Sequence, residues 1–159
     1  MQYTYAVLGA GRQGTASAYD MARWGDAKRV LLCDMDFTAA KRAAERVNQL
    51  VGTGVAEAAQ VDVTNLVELE HVLTGVDAFV SAVPYYYNLD ITRVAIKVRA
   101  SMCDLGGNTE IARSQHAFNE QARQAGISII PDCGQVPGLG TSLTVYTMGL
   151  LDEATDVYM

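Results

Sequence analysis

The fold of this chain is decided by the stretch Val7-Leu8-Gly9-Ala10-Gly11-Arg12-Gln13-Gly14. The apolar run Tyr5–Leu8, which leads into the glycines, is typical of a short buried strand. After Gly14, small and apolar side chains recur at helical spacing, so a helix is predicted there. A strand, a glycine-rich turn and a helix in this order are the setting in which the pattern G-x-G-x-x-G indicates a dinucleotide-binding site.

The three glycines of this pattern have different tasks. Gly9 makes the tight turn after the strand, and Gly11 lets the backbone approach a pyrophosphate, where a Cβ atom would collide. Gly14 allows the helix to pack closely on the strand, and the start of that helix offers N–H groups to the phosphates. The residues predicted to hold the pyrophosphate are Gly9, Ala10, Gly11, Arg12, Gln13 and Gly14.

A second strand-like run ends in Asp34, about 20 residues after the glycines, which is the spacing expected for the carboxylate that binds the adenosine ribose. Such a carboxylate accepts hydrogen bonds from the ribose 2′- and 3′-hydroxyls and repels a 2′-phosphate. Met35 follows it, and no arginine takes the place of the acid. We therefore expect NAD as the cofactor, with NADP less favoured.

The composition of the 159-residue chain is that of one globular domain without a nucleic-acid or membrane partner. Half of the residues are hydrophobic, 19% are charged and the formal net charge is −6, whereas a nucleic acid or an anionic membrane attracts a basic face. Cys33, Cys103 and Cys133 are widely spaced and are expected to be reduced thiols of a cytoplasmic protein. His71 and His116 have no Cys or His partners at metal-binding spacing, so no metal site is predicted.

Strand and helix patterns alternate strictly along the chain. The predicted strands cover residues 5–8, 29–34, 55–61, 78–83, 101–105 and 127–131. The helices behind the last three of them are expected over 90–98, 111–125 and 140–151. Strict alternation predicts parallel strands joined by right-handed crossovers. The fold class is therefore α/β, a doubly wound parallel six-stranded Rossmann sheet of order 3-2-1-4-5-6 with helices on both faces.

In such a sheet, ligands bind beyond the carboxyl ends of the strands, where the strand order reverses. Asp62 and Val63 follow the third strand and are expected near the adenine. Ala82, Val83 and Pro84 end the fourth strand and are expected near the nicotinamide ribose.

Four further residues at strand ends are candidates for contact with a substrate. Tyr85 follows the fourth strand, Asp104 ends the fifth, and Asp132 and Cys133 follow the sixth. A carboxylate there can hold a substrate amine, and a tyrosine can donate a hydrogen bond. Each also has a structural interpretation, because strand-end carboxylates often cap helices, loop tyrosines stack, and small thiols pack inside.

The chain resembles the saccharopine dehydrogenase and lysine dehydrogenase family over essentially its whole length. The matching motifs are G-A-G-R-Q-G at 9–14, S-A-V-P-Y-Y-Y-N at 81–88, C-D-L-G-G at 103–107 and D-C-G-Q-V-P-G-L at 132–139. Within the family the chain resembles lysine 6-dehydrogenase-like members more than the NADP-dependent saccharopine reductases. The reductases tend to carry an arginine where this chain has Met35.

The resemblance implies an NAD(P)-dependent oxidoreductase that acts on the C–N bond of an amino acid and forms a homodimer as a full-length protein. It also implies a cofactor domain over residues 1–151, followed at 152–159 by the start of a substrate domain, without which the chain is expected to be inactive. Leu143, Tyr146 and Leu150 of the last helix are then either exposed or packed on the sheet.

Two alternatives remain open from the sequence. One is a sugar or other small-molecule dehydrogenase that uses the same cofactor domain, although members resembling the glucose–fructose oxidoreductases usually carry Glu-Lys-Pro where this chain has Asp104-Leu105-Gly106. The other is a non-catalytic NAD-binding regulatory module.

Overall fold

The computed structural model describes residues 2–158, and strands and helices alternate through most of them. The strands are β1 (Tyr3–Leu8), β2 (Ala27–Asp34), β3 (Ala56–Gln60), β4 (Ala78–Ser81), β5 (Ser101–Asp104) and β6 (Ile129–Ile130). The helices are α1 (Arg12–Trp24), α2 (Phe37–Val51), α3 (Leu66–Leu73), α4 (Asn88–Val98), α5 (Thr109–His116), α6 (Asn119–Ala125) and α7 (Leu139–Met148). A single 3₁₀ turn, Tyr85–Tyr87, precedes α4.

The six strands form one parallel sheet of order β3-β2-β1-β4-β5-β6, which confirms the predicted Rossmann topology. Their carboxyl ends are in register. Leu8 at the end of β1 pairs with Cys33 of β2 on one side and with Ser81 of β4 on the other. Ser81 in turn pairs with Asp104 at the end of β5. The loops that follow these strands therefore emerge side by side at one edge of the sheet.

Each face of the sheet is covered by helices, because successive side chains of a strand point to opposite faces. Val7 of β1 packs with the small residues of α1 and α2, such as Ala18 and Ala40. Leu8 points the other way and packs with apolar residues of α3 and α4, such as Leu69 and Ile91. The central strands thus lie between two apolar layers, which explains their nearly continuous hydrophobic sequence.

Several elements differ from the sequence-based expectation in their bounds, and β6, α7 and the helix predicted over 111–125 differ most. β6 has two residues rather than five, and α7 begins at Leu139 and ends at Met148. The helix predicted over 111–125 is two helices, α5 and α6, separated at Ala117–Phe118. There the Phe118 N–H donates to the Gln115 carbonyl, three residues back, and the Phe118 ring packs on the Arg93 guanidinium. Periodicity could not reveal this break, because the apolar spacing continues through it.

The last helix lies apart from the two cores. None of its residues is buried, and Leu143, Tyr146 and Leu150, beside it or within it, are each more than half exposed. Residues 153–158 have no regular structure, and Met159 lies outside the described residues. The expected domain boundary, homodimer and cytoplasmic location stay predictions. Among the described residues no helix combines the length and hydropathy needed to cross a bilayer.

Candidate functional site

The glycine loop between β1 and α1 is held by backbone contacts that leave room only for glycine at Gly9 and Gly14. Gly9 has a positive φ of 96° and donates its N–H to the Cys33 carbonyl at 2.8 Å. A Cβ atom on Gly14 would lie 1.8 Å from the Gly9 carbonyl oxygen, so α1 packs directly on the loop. Gly11 is different, since a Cβ there would meet nothing within 4 Å. The space beside Gly11 is therefore open to a ligand.

A cleft of about 490 Å³ opens at the carboxyl ends of the central strands. It is lined by Gly9, Gly11, Cys33, Asp34, Met35, Val61, Asp62, Val63, Thr64, Ala82, Val83, Pro84, Tyr86 and Tyr87. Most of the residues predicted to bind the cofactor are thus brought together in one cavity. Four of the predicted residues lie elsewhere. Gly14 is buried beneath the loop, Gln13 is exposed, and Ala10 and Arg12 line a separate groove between α1 and α2.

Asp34 is fixed in position at the end of β2. Its Oδ2 accepts the Ala10 N–H at 2.8 Å, and its Oδ1 accepts the Asp36 N–H at 3.0 Å. The neighbouring carboxylate of Asp36 caps α2 by accepting the Thr38 N–H, so α2 begins at Phe37. Of these two acids, Asp34 lines the cleft and retains lone pairs for ribose hydroxyls.

Asp62 also lines the cleft, in the loop after β3. Its Oδ1 accepts both the N–H and the hydroxyl of Thr64, at 2.9 and 2.7 Å. These hydrogen bonds lower the pKa of Asp62, led by the backbone contact. The side chain therefore stays an acceptor for an amino group such as the one on adenine.

Tyr86 and Tyr87 also line the cleft, although they are not among the residues that the sequence singled out for binding. Their rings meet edge to face, with centroids 4.4 Å apart. A hydrogen bond with the Tyr86 side chain raises the pKa of Tyr87. The position of this aromatic pair in the loop after β4, where ligands of such sheets bind, is the pattern that could have identified it.

The four substrate-side candidates lie around the loops after β4, β5 and β6. Tyr85 does not line the cleft and places its ring against Gly107. The Oδ1 of Asp132 accepts the Gly107 N–H at 3.1 Å, and the Cys133 N–H donates to the Asp104 carbonyl at 2.7 Å. These residues therefore lie together beside the cleft, on the β4–β6 side of the sheet, whereas Asp34 lies on the β2 side.

Asp104 is buried, and its carboxylate is occupied by groups of the chain. Oδ1 accepts the N–H groups of Gly106 and Asp132 at 2.8 and 3.1 Å. Oδ2 accepts the side-chain amide of Gln115 at 2.8 Å. The carboxylate therefore joins the loops after β5 and β6 to α5.

The hydrogen-bonded chain continues inward from Gln115. The same amide nitrogen donates to the Thr92 hydroxyl at 3.0 Å, and that hydroxyl donates to the Asn88 carbonyl at 2.8 Å. The Ser81 hydroxyl donates to Asn88 Oδ1 at 2.7 Å. With Asp104 these residues are all the buried polar side chains of residues 2–158, and we call them the buried polar network. Sequence reasoning missed all but Asp104, although Asn88 and Thr92 stand one turn apart on the apolar face of α4.

The three cysteines are free thiols with suppressed acidity. Burial raises the pKa of Cys33 to about 12 and that of Cys103 to about 11. Burial also raises the pKa of Cys133, with a contribution from the charge of Asp104. Because only a thiolate is a strong nucleophile, the geometry gives Cys133 a packing or contact role at neutral pH. No cluster of metal-binding side chains occurs in the part of the chain that the structure describes.

Comparison with known families agrees with this geometry. A model of the saccharopine dehydrogenase NADP-binding domain matches residues 5–130, more than half of the chain. The chain belongs to this family. The resemblance to the saccharopine dehydrogenase family is thereby confirmed, and the chain is an NAD(P)-binding domain of the oxidoreductase type.

Solved structures of oxidoreductases share the fold of this family member. Saccharopine dehydrogenase (L-Glu forming) from Saccharomyces cerevisiae is 20% identical with a TM-score of 0.73, over 93% of this chain and 31% of that one. Quinate dehydrogenase from Corynebacterium glutamicum in complex with NAD is 19% identical with a TM-score of 0.59, over 80% of this chain and 43% of that one. UDP-N-acetylglucosamine 3-dehydrogenase from Acidithiobacillus ferrooxidans is 16% identical with a TM-score of 0.64, over 94% of this chain and 44% of that one. The chain spans less than half the length of each.

Proposed function

We propose that this chain is the NAD-binding domain of an oxidoreductase that acts on the C–N bond of an amino acid. The observation that carries the cofactor part is Asp34, which lines the cleft with a carboxylate oriented by two backbone N–H groups. Family membership supports the reaction class. The activity is proposed for the whole protein that carries this domain.

The residues of the cleft fit the parts of a dinucleotide in the order that the strands impose. The open backbone at Gly11 and the start of α1 fit the pyrophosphate, and Asp34 fits the adenosine ribose. Asp62 and the Tyr86–Tyr87 pair face the space for the adenine, where a carboxylate and an aromatic surface suit an amino group and a ring. When bound, the nicotinamide supplies hydride exchange with the carbon that bears nitrogen.

For the substrate, we propose that Asp132 and Tyr85 contact the amino acid and that Cys133 lines its pocket. Asp132 is half-buried and uses Oδ1 for Gly107, which leaves Oδ2 for a substrate ammonium group. We assign Asp104 a positioning role, because its own oxygens hold the Gly106 and Asp132 backbone in place. It acts on the substrate through the loop that carries Asp132.

Asp34→Asn is expected to weaken NADH binding by about tenfold to a hundredfold, because hydrogen bonds to a charged acceptor contribute about 1.5–3 kcal/mol. The affinity for NADPH should fall less or rise, since the charge facing a 2′-phosphate is removed. Isothermal titration of both nucleotides measures the change. Asp36→Asn is the matched control, since it removes the same charge while asparagine still caps α2.

Two results would contradict the proposed cofactor preference. One is an unaltered domain that binds NADPH tightly and NADH negligibly. The other is an equal effect of Asp34→Asn and Asp36→Asn on NADH binding.

The reaction class is tested by NADH formation at 340 nm in the whole protein that carries this domain. Lysine, saccharopine and related amino acids form one substrate panel, and quinate and inositol form a second. We expect turnover with at least one amino acid and none with the polyols. Turnover confined to the second panel would replace the proposal with the sugar-dehydrogenase alternative. Tight NADH binding without turnover in either panel would favour a regulatory module.

A further inference from the structure

The side chain of Gln115, on α5, joins two parts of the fold. It is 3% exposed, and its amide nitrogen donates to the Thr92 hydroxyl of α4 at 3.0 Å and to Asp104 Oδ2 of β5 at 2.8 Å. Both hydrogens of that nitrogen are thereby used. The acceptors also fix the orientation of the amide, because the reversed amide would turn its carbonyl oxygen toward the Asp104 carboxylate.

The Asp104 carboxylate is compensated by hydrogen bonds alone. It is 1% exposed, and within residues 2–158 it forms no ion pair. The N–H groups of Gly106 and Asp132 both donate to Oδ1, and in that part of the chain Gln115 is the one donor to Oδ2. Without Gln115, Oδ2 is a buried charged oxygen without a donor, which is costly. The carboxylate then gains by turning Oδ2 toward the loop N–H groups at the expense of Oδ1.

The conformation of Asp132 depends on where Oδ1 points. The φ of Asp132 is 60°, in the left-handed region that residues other than glycine adopt rarely and only when their surroundings enforce it. Its N–H donates to Asp104 Oδ1 at 3.1 Å, and the next N–H, of Cys133, donates to the Asp104 carbonyl at 2.7 Å. One residue of β5 thus holds the turn after β6 through its side chain and its main chain. A rotation of the carboxylate removes one of these two contacts.

At its other end, Gln115 is tied to the helix that follows the cofactor loop. The Thr92 hydroxyl donates to the Asn88 carbonyl at 2.8 Å, and Asn88 Oδ1 accepts the Ser81 hydroxyl at 2.7 Å. Ser81 ends β4 and Asn88 begins α4. The segment between them contains five residues that line the cleft, namely Ala82, Val83, Pro84, Tyr86 and Tyr87. Gln115 therefore connects the cofactor side of the site to the loop that carries Asp132.

We propose that Gln115 is a positioning residue, which acts through Asp104 to hold Asp132 in place beside the cofactor cleft. The proposal rests on the proposed function, because it concerns the amino-acid side of that site. Gln115 itself does not line the cleft. Misplacement of a substrate by about 1 Å costs about a hundredfold in rate. Loss of Gln115 therefore lowers turnover more than cofactor affinity, since the hydrogen bond between Ser81 and Asn88 does not involve it.

The test is Gln115→Met in the whole protein that carries this domain. Methionine has a similar length and makes neither hydrogen bond. With an amino acid that the unaltered protein oxidises, we expect kcat to fall by about tenfold to a hundredfold and the Kd of NADH to stay within about twofold. Gln124→Met is the matched control, because Gln124 is an exposed glutamine of α6 whose amide donates to Glu120. Its kcat and Kd should both stay within about twofold.

A second pair of variants tests the same connection if Gln115→Met does not fold. Thr92→Val removes only the hydroxyl between Gln115 and Asn88, whereas Thr92→Ser retains it. We expect kcat to fall by at least about threefold in the valine variant and to stay within about twofold of the unaltered protein in the serine variant. Equal kcat values in the two variants contradict the proposal.

Hydrogen exchange followed by mass spectrometry gives a measurement that does not depend on the substrate. In Gln115→Met, segments 104–107 and 131–134 should exchange at least about fivefold faster, and β1 should be unchanged. If the unaltered protein oxidises no amino acid, the proposed reaction fails, and the exchange measurement alone decides whether Gln115 holds these loops. Unchanged exchange in both segments, or faster exchange with unchanged kcat, overturns the proposal. Faster exchange in β1 with an equal loss of kcat and NADH affinity shows a role in stability only and also overturns it.

Discussion

Gly14→Ala is expected to destabilise the domain by about 3 kcal/mol or more and to abolish dinucleotide binding. A Cβ at this position would lie 1.8 Å from the Gly9 carbonyl oxygen and 3.1 Å from the Val7 side chain. The colliding oxygen belongs to the backbone of the loop, so no side-chain rotation relieves the clash. Overpacking of a rigid site costs about 1–3 kcal/mol and sometimes more, and here α1 must also move off the loop. Urea unfolding followed by circular dichroism measures the loss.

Gly11→Ala is the matched control for this prediction. It adds the same methyl group three residues earlier, where nothing lies within 4 Å and φ is −71°. The free energy of unfolding should therefore change by less than about 1 kcal/mol. NADH binding should still be lost, because the methyl group occupies the space through which the pyrophosphate approaches. Equal stability losses in the two variants, or tight NADH binding by Gly11→Ala, would contradict this assignment of roles.

Asp104→Ala is expected to destabilise the domain by about 3–5 kcal/mol, as when one partner of a buried charged contact is removed. The substitution leaves the N–H groups of Gly106 and Asp132 and the amide of Gln115 without their acceptor. Each unsatisfied buried donor costs about 1–3 kcal/mol. Chemical denaturation measures the effect on stability, and protease cleavage after β5 reports on the released loops.

Two variants separate the charge of Asp104 from its contacts. Asp104→Asn keeps the shape and one acceptor oxygen, so it should be less damaging than alanine. Asp132→Asn keeps the Oδ1 acceptor for Gly107 and suits the positive φ of 60° at that position, so it should change the stability by less than about 1 kcal/mol. If Asp104→Ala costs no more than Asp132→Asn, the buried polar network has no structural role.

That the glycine loop and Asp34 lie together could be predicted because the determinants are local. A glycine turn after an apolar strand, followed by an acid at the end of the next strand, specifies backbone conformations within a short segment. Gly9, Gly11 and Asp34 therefore line the cleft as expected. Arg12, by contrast, lines the α1–α2 groove and not the cleft, because a side chain's direction depends on the helix packed beside it.

The substrate half was harder to predict because its contacts are distant in sequence. Nothing near Asp104 in the chain indicates that Gln115 and the backbone of Asp132 bind its carboxylate. The sequence around Tyr86 and Tyr87 likewise does not indicate that they line the cleft, because their position depends on the 3₁₀ turn after β4. The end of a strand can be predicted from a sequence, but the hydrogen-bond partner of a side chain at that end cannot.

The sequence by itself determined the strand order, the position of the glycine loop, the acid beside it and the family. These follow from periodicity and from conformations that only particular residues allow. The tertiary structure alone decided that α5 and α6 are separate helices, that α7 is exposed, and that Arg12 lines a groove between α1 and α2 and not the cleft. It also decided that the Asp104 carboxylate accepts hydrogen bonds from other groups of the chain. The physical reason is that burial and pairing depend on which surfaces come into contact when the sheet and its helices assemble. Local sequence patterns do not specify those contacts.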